Sequence, residues 1–225
     1  MAYARHESTA LRYTITQQPS SEPVTLAQVK AHRGLHSSDT RLDSIIPLMI
    51  TMARRYAERY TGQSFITQKW CGTADRFPGV MLPPTPFASI AAWLPTPQPS
   101  GEIQLLHGPI VSIDSITYLD TTGAQQTLSS SKYVLDASGI FPRVAPASGQ
   151  QWPDTLEQIG AVQINFTAGY GSTAASVPAE IVHWMLLRIG SVFENREEAA
   201  VLNKGKLEVL PYVDSLLDFN REPVI

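Results

Sequence analysis

The hydrophobic period changes twice along this chain, and that restricts what it can fold into more than any other feature. Leu42, Ile45, Ile46, Met49, Ala53, Tyr56, Ala57 and Tyr60 recur at steps of three and four, the spacing that lays side chains along one face of a helix. A second helical stretch holds Ile181, Val182, Trp184, Met185, Leu186, Leu187, Ile189, Val192 and Phe193, which cover nearly its whole circumference. Between these two stretches, over residues 65–170, the pattern becomes short extended runs cut by turn residues. A strand alternates its side chains with period 2 and a helix with period 3.6, so neither element alone satisfies both patterns. The fold class is therefore predicted to be α+β: a small helical bundle formed by N- and C-terminal helices, with a β-rich module inserted between them.

Residues 1–22 lack helical period and read as an N-terminal arm. Residues 23–64 read as a helical pair. Thr25 is placed as the N-cap of the first helix, and Gln28 falls at the third helical position, the spacing of a capping box. Gly34 stops that helix. The second is predicted from Ser38 or Asp39 to Thr61, closed by Gly62, with Arg54, Arg55, Glu58 and Arg59 opposite the apolar face. Pro47 lacks the N–H that an interior position needs, which predicts either a kink over 43–47 or a main helix that begins at Pro47.

Residues 65–172 form the inserted module. Strands are predicted at 66–75, 103–106, 113–119, 125–128, 133–136 and 161–168. Asp120-Thr121-Thr122-Gly123 reads as a hairpin turn. Within the module, residues 81–101 are a proline-rich loop, since Pro83 to Pro99 holds six prolines and proline cannot join a sheet ladder. Residues 173–200 carry a third helix, starting at Pro178 and packing on the helical pair. Residues 201–225 are a tail with a short helix near 210–217.

Composition narrows the function classes. Charged residues make up 16% of the chain, below the roughly 25% common in soluble domains. The formal net charge is -3, which argues against a protein that coats nucleic acid, because such binding rests on clustered Lys and Arg. A single cysteine, Cys71, excludes an internal disulfide framework and a cysteine-based zinc site. No run of about 18 apolar residues exists, so no membrane span is expected. Residues 1–21 contain no apolar core of a secretory signal.

Motifs that carry catalysis are missing from the sequence. It has no Gly-x-Ser-x-Gly elbow, no Gly-x-x-x-x-Gly-Lys phosphate loop and no His-Glu-x-x-His pair. Gly169-Tyr170-Gly171-Ser172 does not match a nucleotide fingerprint and reads as a tight turn leading into the Pro178 helix. His32 and His36 stand four apart but have Gly34 between them and no third ligand nearby. Glu180 and His183 make one half of a di-iron motif that needs two such halves. Asp114, Asp120 and Asp136 lie near strand ends, where turn formation accounts for them, and a carboxylate hydrolase is the minor alternative. No catalytic residue, metal or cofactor is expected. Arg54, Arg55 and Arg59 make a basic strip that reads as a solvated helix face or as a salt-bridging surface for a partner chain.

Several segments in order resemble a known family. Residues 22–30 (Glu-Pro-Val-Thr-Leu-Ala-Gln-Val-Lys), Leu42-Asp43-Ser44-Ile45-Ile46 and Ala53-Arg54-Arg55-Tyr56-Ala57-Glu58-Arg59-Tyr60-Thr61-Gly62 look like the N-terminal helical pair of phage head–tail connector proteins, the adaptor or head-completion proteins of long-tailed phages. Ser115-Ile116-Thr117-Tyr118-Leu119-Asp120, Trp152-Pro153 and Ala168-Gly169-Tyr170-Gly171 are similar to the family's β module. Val177-Pro178-Ala179-Glu180-Ile181 and Phe193-Glu194-Asn195-Arg196-Glu197 resemble its third helix. The proline-rich loop and Pro47 depart from the family pattern.

The resemblance implies a structural virion protein without catalytic activity, assembled in the host cytoplasm and located at the head–tail interface. It implies a homo-oligomeric ring, usually dodecameric, beneath the portal, meeting a stopper or tail terminator protein on the tail side. DNA would pass through its lumen without specific binding. The tail positions matching the family's portal-reaching segment are Tyr212, Leu216, Leu217, Phe219, Arg221 and Ile225. Candidate contacts between subunits are Arg54, Arg55, Arg59, Trp184 and Arg188. The alternative is another phage tail or baseplate module contacting a protein or a glycan, for which an exposed Trp93 or Trp152 would be the stacking platform.

Overall fold

Thr25 caps the first helix, α1 (Leu26–His32), as the spacing predicts. Its hydroxyl accepts from the Gln28 N–H at 3.2 Å, and the Gln28 side chain accepts from the Thr25 N–H at 2.8 Å. The computed structural model describes residues 11–78, 101–139, 142–194 and 216–218. The described chain divides into a helical unit (Gln18–Gln68, His107–Pro109 and from Ala168 on) and a β unit (up to Gln17, Lys69–Leu106 and Ile110–Thr167). Both periods of the sequence are thus realised as an α+β fold.

In the helical unit, α2 spans Ile46–Thr61. Pro47 sits in its first turn, where the missing N–H costs nothing, so the predicted stretch before it is turn rather than helix. Gly62 closes α2 with φ +76°, and its N–H bonds the Glu58 carbonyl at 2.9 Å. The third helix, α3, spans Ala179–Glu194. Val24 and Val29, Ile46, Ile50, Ala53 and Ala57 of α2, Phe65 and Ile66, and Ile181, Trp184, Met185 and Ile189 of α3 form one buried cluster. The N- and C-terminal helices therefore share a core, which neither could supply alone. Arg33, just past α1, pairs with Glu194 and lies 5.2 Å from the Phe193 ring centroid, which fixes the end of α3. The turn after the last strand needs glycine at 169: φ is +131°, and a Cβ there would come 2.6 Å from the Ile66 carbonyl carbon.

The β unit holds a five-stranded sheet in the order β1-β2-β8-β4-β5 and a three-stranded sheet in the order β3-β7-β6. The strands are β1 (Arg12–Gln17), β2 (Gln68–Ala74), β3 (Ile103–Gln104), β4 (Ile110–Leu119), β5 (Gln125–Thr127), β6 (Tyr133–Asp136), β7 (Arg143–Pro146) and β8 (Val162–Ala168). β4 and β5 form the predicted hairpin. Asp120 accepts from the Thr122 and Ala124 N–H groups, and Gly123 takes φ +84°.

Two strands lie where the sequence predicts none. Arg12–Gln17 belongs to the supposed arm, yet it pairs antiparallel with β2 at the edge of the five-stranded sheet. β7 ends in Pro146 and pairs with both β3 and β6. The unit boundaries also differ from a single insert over 65–172, since residues 65–68, 107–109 and 168–172 go with the helices. The greater part of the 81–101 loop, and the tail apart from 216–218, lie outside the described residues.

Candidate functional site

α2 carries two apolar faces rather than the one predicted. At about 100° per residue, Ile46, Ile50, Ala53 and Ala57 point to one side, and all are buried. Ile45, Leu48, Met52 and Tyr56 point the other way and stay 44%, 70%, 49% and 47% exposed. By the same helical geometry, Arg55 and Arg59 fall within the same arc of about 100°. Both are exposed, and neither makes an ion pair among the described residues. Arg188 of α3 is exposed beside them, its guanidinium 5.3 Å from the Tyr56 ring centroid. Tyr56 itself stacks on the buried Trp184 at 5.7 Å and on Tyr60 at 6.5 Å, so the rim of this surface is held rigidly. The face is thus an exposed apolar stripe with arginines along its edge, a composition found in protein interfaces.

Of the candidate inter-subunit residues, Arg55 and Arg59 lie on this exposed face and Arg188 lies over Tyr56 at its rim. Arg54 and Trp184 are not available to a neighbour, which corrects their assignment as inter-subunit contacts. Arg54 is 3% exposed and is clamped by Glu22 (Nε to Oε2, 2.7 Å) and Glu58 (Nη1 to Oε2, 2.7 Å). The second Glu58 oxygen accepts from the Phe65 N–H at 3.0 Å and from Gln68 at 3.2 Å, while Thr51 donates to Glu22 at 2.9 Å. Burial opposes the Arg54 charge, but the hydrogen bonds and charges of Glu22 and Glu58 outweigh it and raise its pKa. Burial pushes the Glu58 carboxyl up, and Arg54 and the Phe65 N–H offset part of that. Trp184 has no accessible surface.

The portal candidates are corrected in the same sense where they can be seen. Leu217 is fully buried in the helical core, Leu216 packs against that core, and the Tyr60 hydroxyl donates to Asp218 at 3.0 Å. These residues complete the bundle of their own chain. Tyr212, Phe219, Arg221 and Ile225 lie outside the described residues.

The remaining candidates have structural employment. Asp120 and Asp136 bind their own turns, and hydrogen bonds from Thr122 and Gln126 hold the Asp120 carboxyl at about 2. Asp114 accepts from Ser112 and Thr167 and pairs with Lys69 at 3.2 Å. His36 meets Ser38 at 2.7 Å. Among the described residues, no group of three or more His, Cys, Asp or Glu could hold a metal ion, and no helix is long and apolar enough to cross a membrane. Trp152 is buried and stacked on Phe77 at 4.7 Å, so it offers no sugar-stacking platform; Trp93 lies outside the described residues. A shallow groove of about 440 Å³ on the helical unit, lined by Val24, Leu26, Pro47 and Ile50, contains one carboxylate, Glu22, already engaged by Arg54 and Thr51.

Leu48 and Met52, the centre of the exposed face, are absent from the predicted apolar set. Their four-residue step to Tyr56 was the available signal. With Ile45 they make more apolar positions than one buried stripe of α2 can hold.

No protein-family model matches the chain, and no curated protein matches it significantly. Solved structures do. The chain is similar to a component of the neck of an empty gene transfer agent particle computed with C6 symmetry, with TM-score 0.70 and 16% identity over 95% of this chain and 97% of that one. It is similar to a chain of the virion of the native gene transfer agent particle, with TM-score 0.71 and 16% identity over 95% and 96%. A third match, in the native particle's neck computed with C12 symmetry, has TM-score 0.63 and 16% identity over 94% and 97%. At these identities what is shared is the fold, from nearly one end of each chain to the other.

Proposed function

We propose that this chain is a structural protein of a phage-like particle: a head–tail adaptor whose copies form a ring under the portal, extend the DNA channel and connect the head to the tail or its stopper. The observation that carries this reading is the fold shared over 94–95% of the chain with components of gene transfer agent necks computed with C6 and C12 symmetry. The exposed α2 face supports it, because every subunit of a ring must bury two different patches against its neighbours. Twelve copies is the expected number. A net charge of -3 suits a lumen through which DNA passes without sticking. The protein would reside in the virion at the head–tail interface after assembly in the host cytoplasm. It would act without catalysis or cofactor and touch the portal on one side and a stopper or tail terminator on the other. Portal contact falls to the tail residues Tyr212, Phe219, Arg221 and Ile225, since Leu216 and Leu217 serve the core. The other reading is a tail or baseplate module that contacts a protein or a glycan, and the burial of Trp152 removes one platform for the glycan.

Light scattering of the purified chain, alone and with portal-bearing tail-less heads, tests the proposal. The expected result is a monomer or weak oligomer alone and a ring bound to heads. Absence of any association at micromolar concentration in both conditions would refute it.

A further inference from the structure

The α2 face needs a counterpart, and the β unit carries one of matching chemistry. Ile159 is 78% exposed, more than any other large apolar side chain described. It stands at a turn pinned from several directions. The Leu156 N–H bonds the Leu119 carbonyl at 3.0 Å, the Gly160 N–H bonds Asp75 Oδ1 at 2.9 Å, and the Ala161 N–H bonds the Gln158 carbonyl at 3.3 Å. Asp75 is in turn held by Arg12 at 2.8 Å. Asp154 and Glu157 precede Ile159 by five and two residues, both exposed and without an ion pair among the described residues. A hydrogen-bonded turn that displays an isoleucine just after two exposed carboxylates loses little conformational freedom when it binds.

Building on the ring reading above, we infer that the Asp154–Ile159 turn of one copy docks on the outer face of α2 of the next copy. Ile159 lies against Leu48 and Met52, and the two carboxylates meet Arg55 and Arg59. The complementarity has the sign a ring requires. A self-pairing of two α2 faces would oppose Arg55 and Arg59 to their own copies, and a self-pairing of two turns would oppose carboxylates; both are repelled. Only the pairing of unlike patches joins opposite charges, and such a head-to-tail contact propagates from copy to copy, as a ring's interface must, instead of stopping at a dimer.

Charge exchange tests this directly. R55E/R59E has two acidic faces and D154K/E157K two basic ones, so each variant alone should associate at least about tenfold more weakly than the wild type. Mixed in equal amounts, they should assemble again, because each face of one variant now complements the opposite face of the other. All substituted positions are exposed, and unchanged thermal melts confirm folding. Where the free protein stays monomeric, assembly is read on portal-bearing heads. Either variant assembling alone like the wild type, or a mixture that stays dissociated while the wild type forms rings, overturns the pairing and leaves the neck reading intact. A wild-type chain that assembles neither alone nor on heads overturns the neck reading, and this inference with it.

Discussion

Arg54 and Arg55 are neighbours in sequence and live in opposite worlds. Arg54 is buried among Glu22, Glu58 and Thr51, and its charge is cancelled inside the helical unit. Arg55 looks outward from the other side of α2, next to Leu48 and Met52, with no ion pair among the described residues. The first charge organises the fold: through Glu58 it reaches the Phe65 backbone and Gln68, and so sets how the chain leaves α2. The second charge makes no ion pair among the described residues and is open to solvent. One helix thus carries a buried, internally neutralised charge on one side and an exposed charge beside apolar side chains on the other.

The sharpest way to break this comparison is to remove each charge. Arg54→Ala leaves two carboxylates without their partner, one of them only 12% exposed, and should cost about 3–5 kcal/mol of stability in denaturant unfolding. Arg55→Ala should stay within about 0.5 kcal/mol. Equal losses would erase the distinction between the two faces.

The next effect concerns pH. Burial lowers the pKa of His107 from 6.5 to about 4, against a raising contribution from its hydrogen bond with Gly62. Between those values the unfolded chain binds more protons than the folded one, so stability falls as the pH drops. The loss should reach about 2 kcal/mol by pH 5. His107→Asn should flatten that slope, and asparagine tolerates the left-handed backbone at this position, where φ is +69°. An unchanged slope in the variant would assign the acid sensitivity elsewhere.

A smaller effect is expected at the α1 cap. Thr25→Ala removes one side of the capping box and should cost about 1 kcal/mol in a thermal melt. Least of all for stability, Leu48→Ser should change folding by less than about 0.5 kcal/mol while weakening self-association on heads. A stability loss above 2 kcal/mol would mean that Leu48 belongs to the core after all.

What the sequence discloses follows how local each feature is. The Thr25–Gln28 box, the Gly62 stop, the Asp120–Gly123 turn and the strand at 133–136 depend on a few adjacent residues, and all were legible. β1 was not, because Arg12–Gln17 mixes polar and apolar residues at a sheet edge and is a strand only through its pairing with β2. β7 was hidden for a similar reason: a four-residue run ending in proline gains its bonds from β3 and β6, distant in sequence. At the candidate site, the arginines were readable as a strip but their division between core and surface was not. Arg54 lies inside because Glu22, more than thirty residues earlier, reaches it, and helical spacing alone does not encode that. Ile159 sits in a turn with no periodic pattern and gave no sign of its exposure.

The central claim is that copies of this chain form a ring at a particle neck with the outer face of α2 buried between them. Cryo-electron microscopy of particles carrying the chain tests it most directly. The expected result is a closed ring between portal and tail in which Leu48, Met52, Arg55 and Arg59 are covered by the neighbouring copy. A ring that leaves this face open to solvent, or particles whose neck lacks the chain, would contradict it.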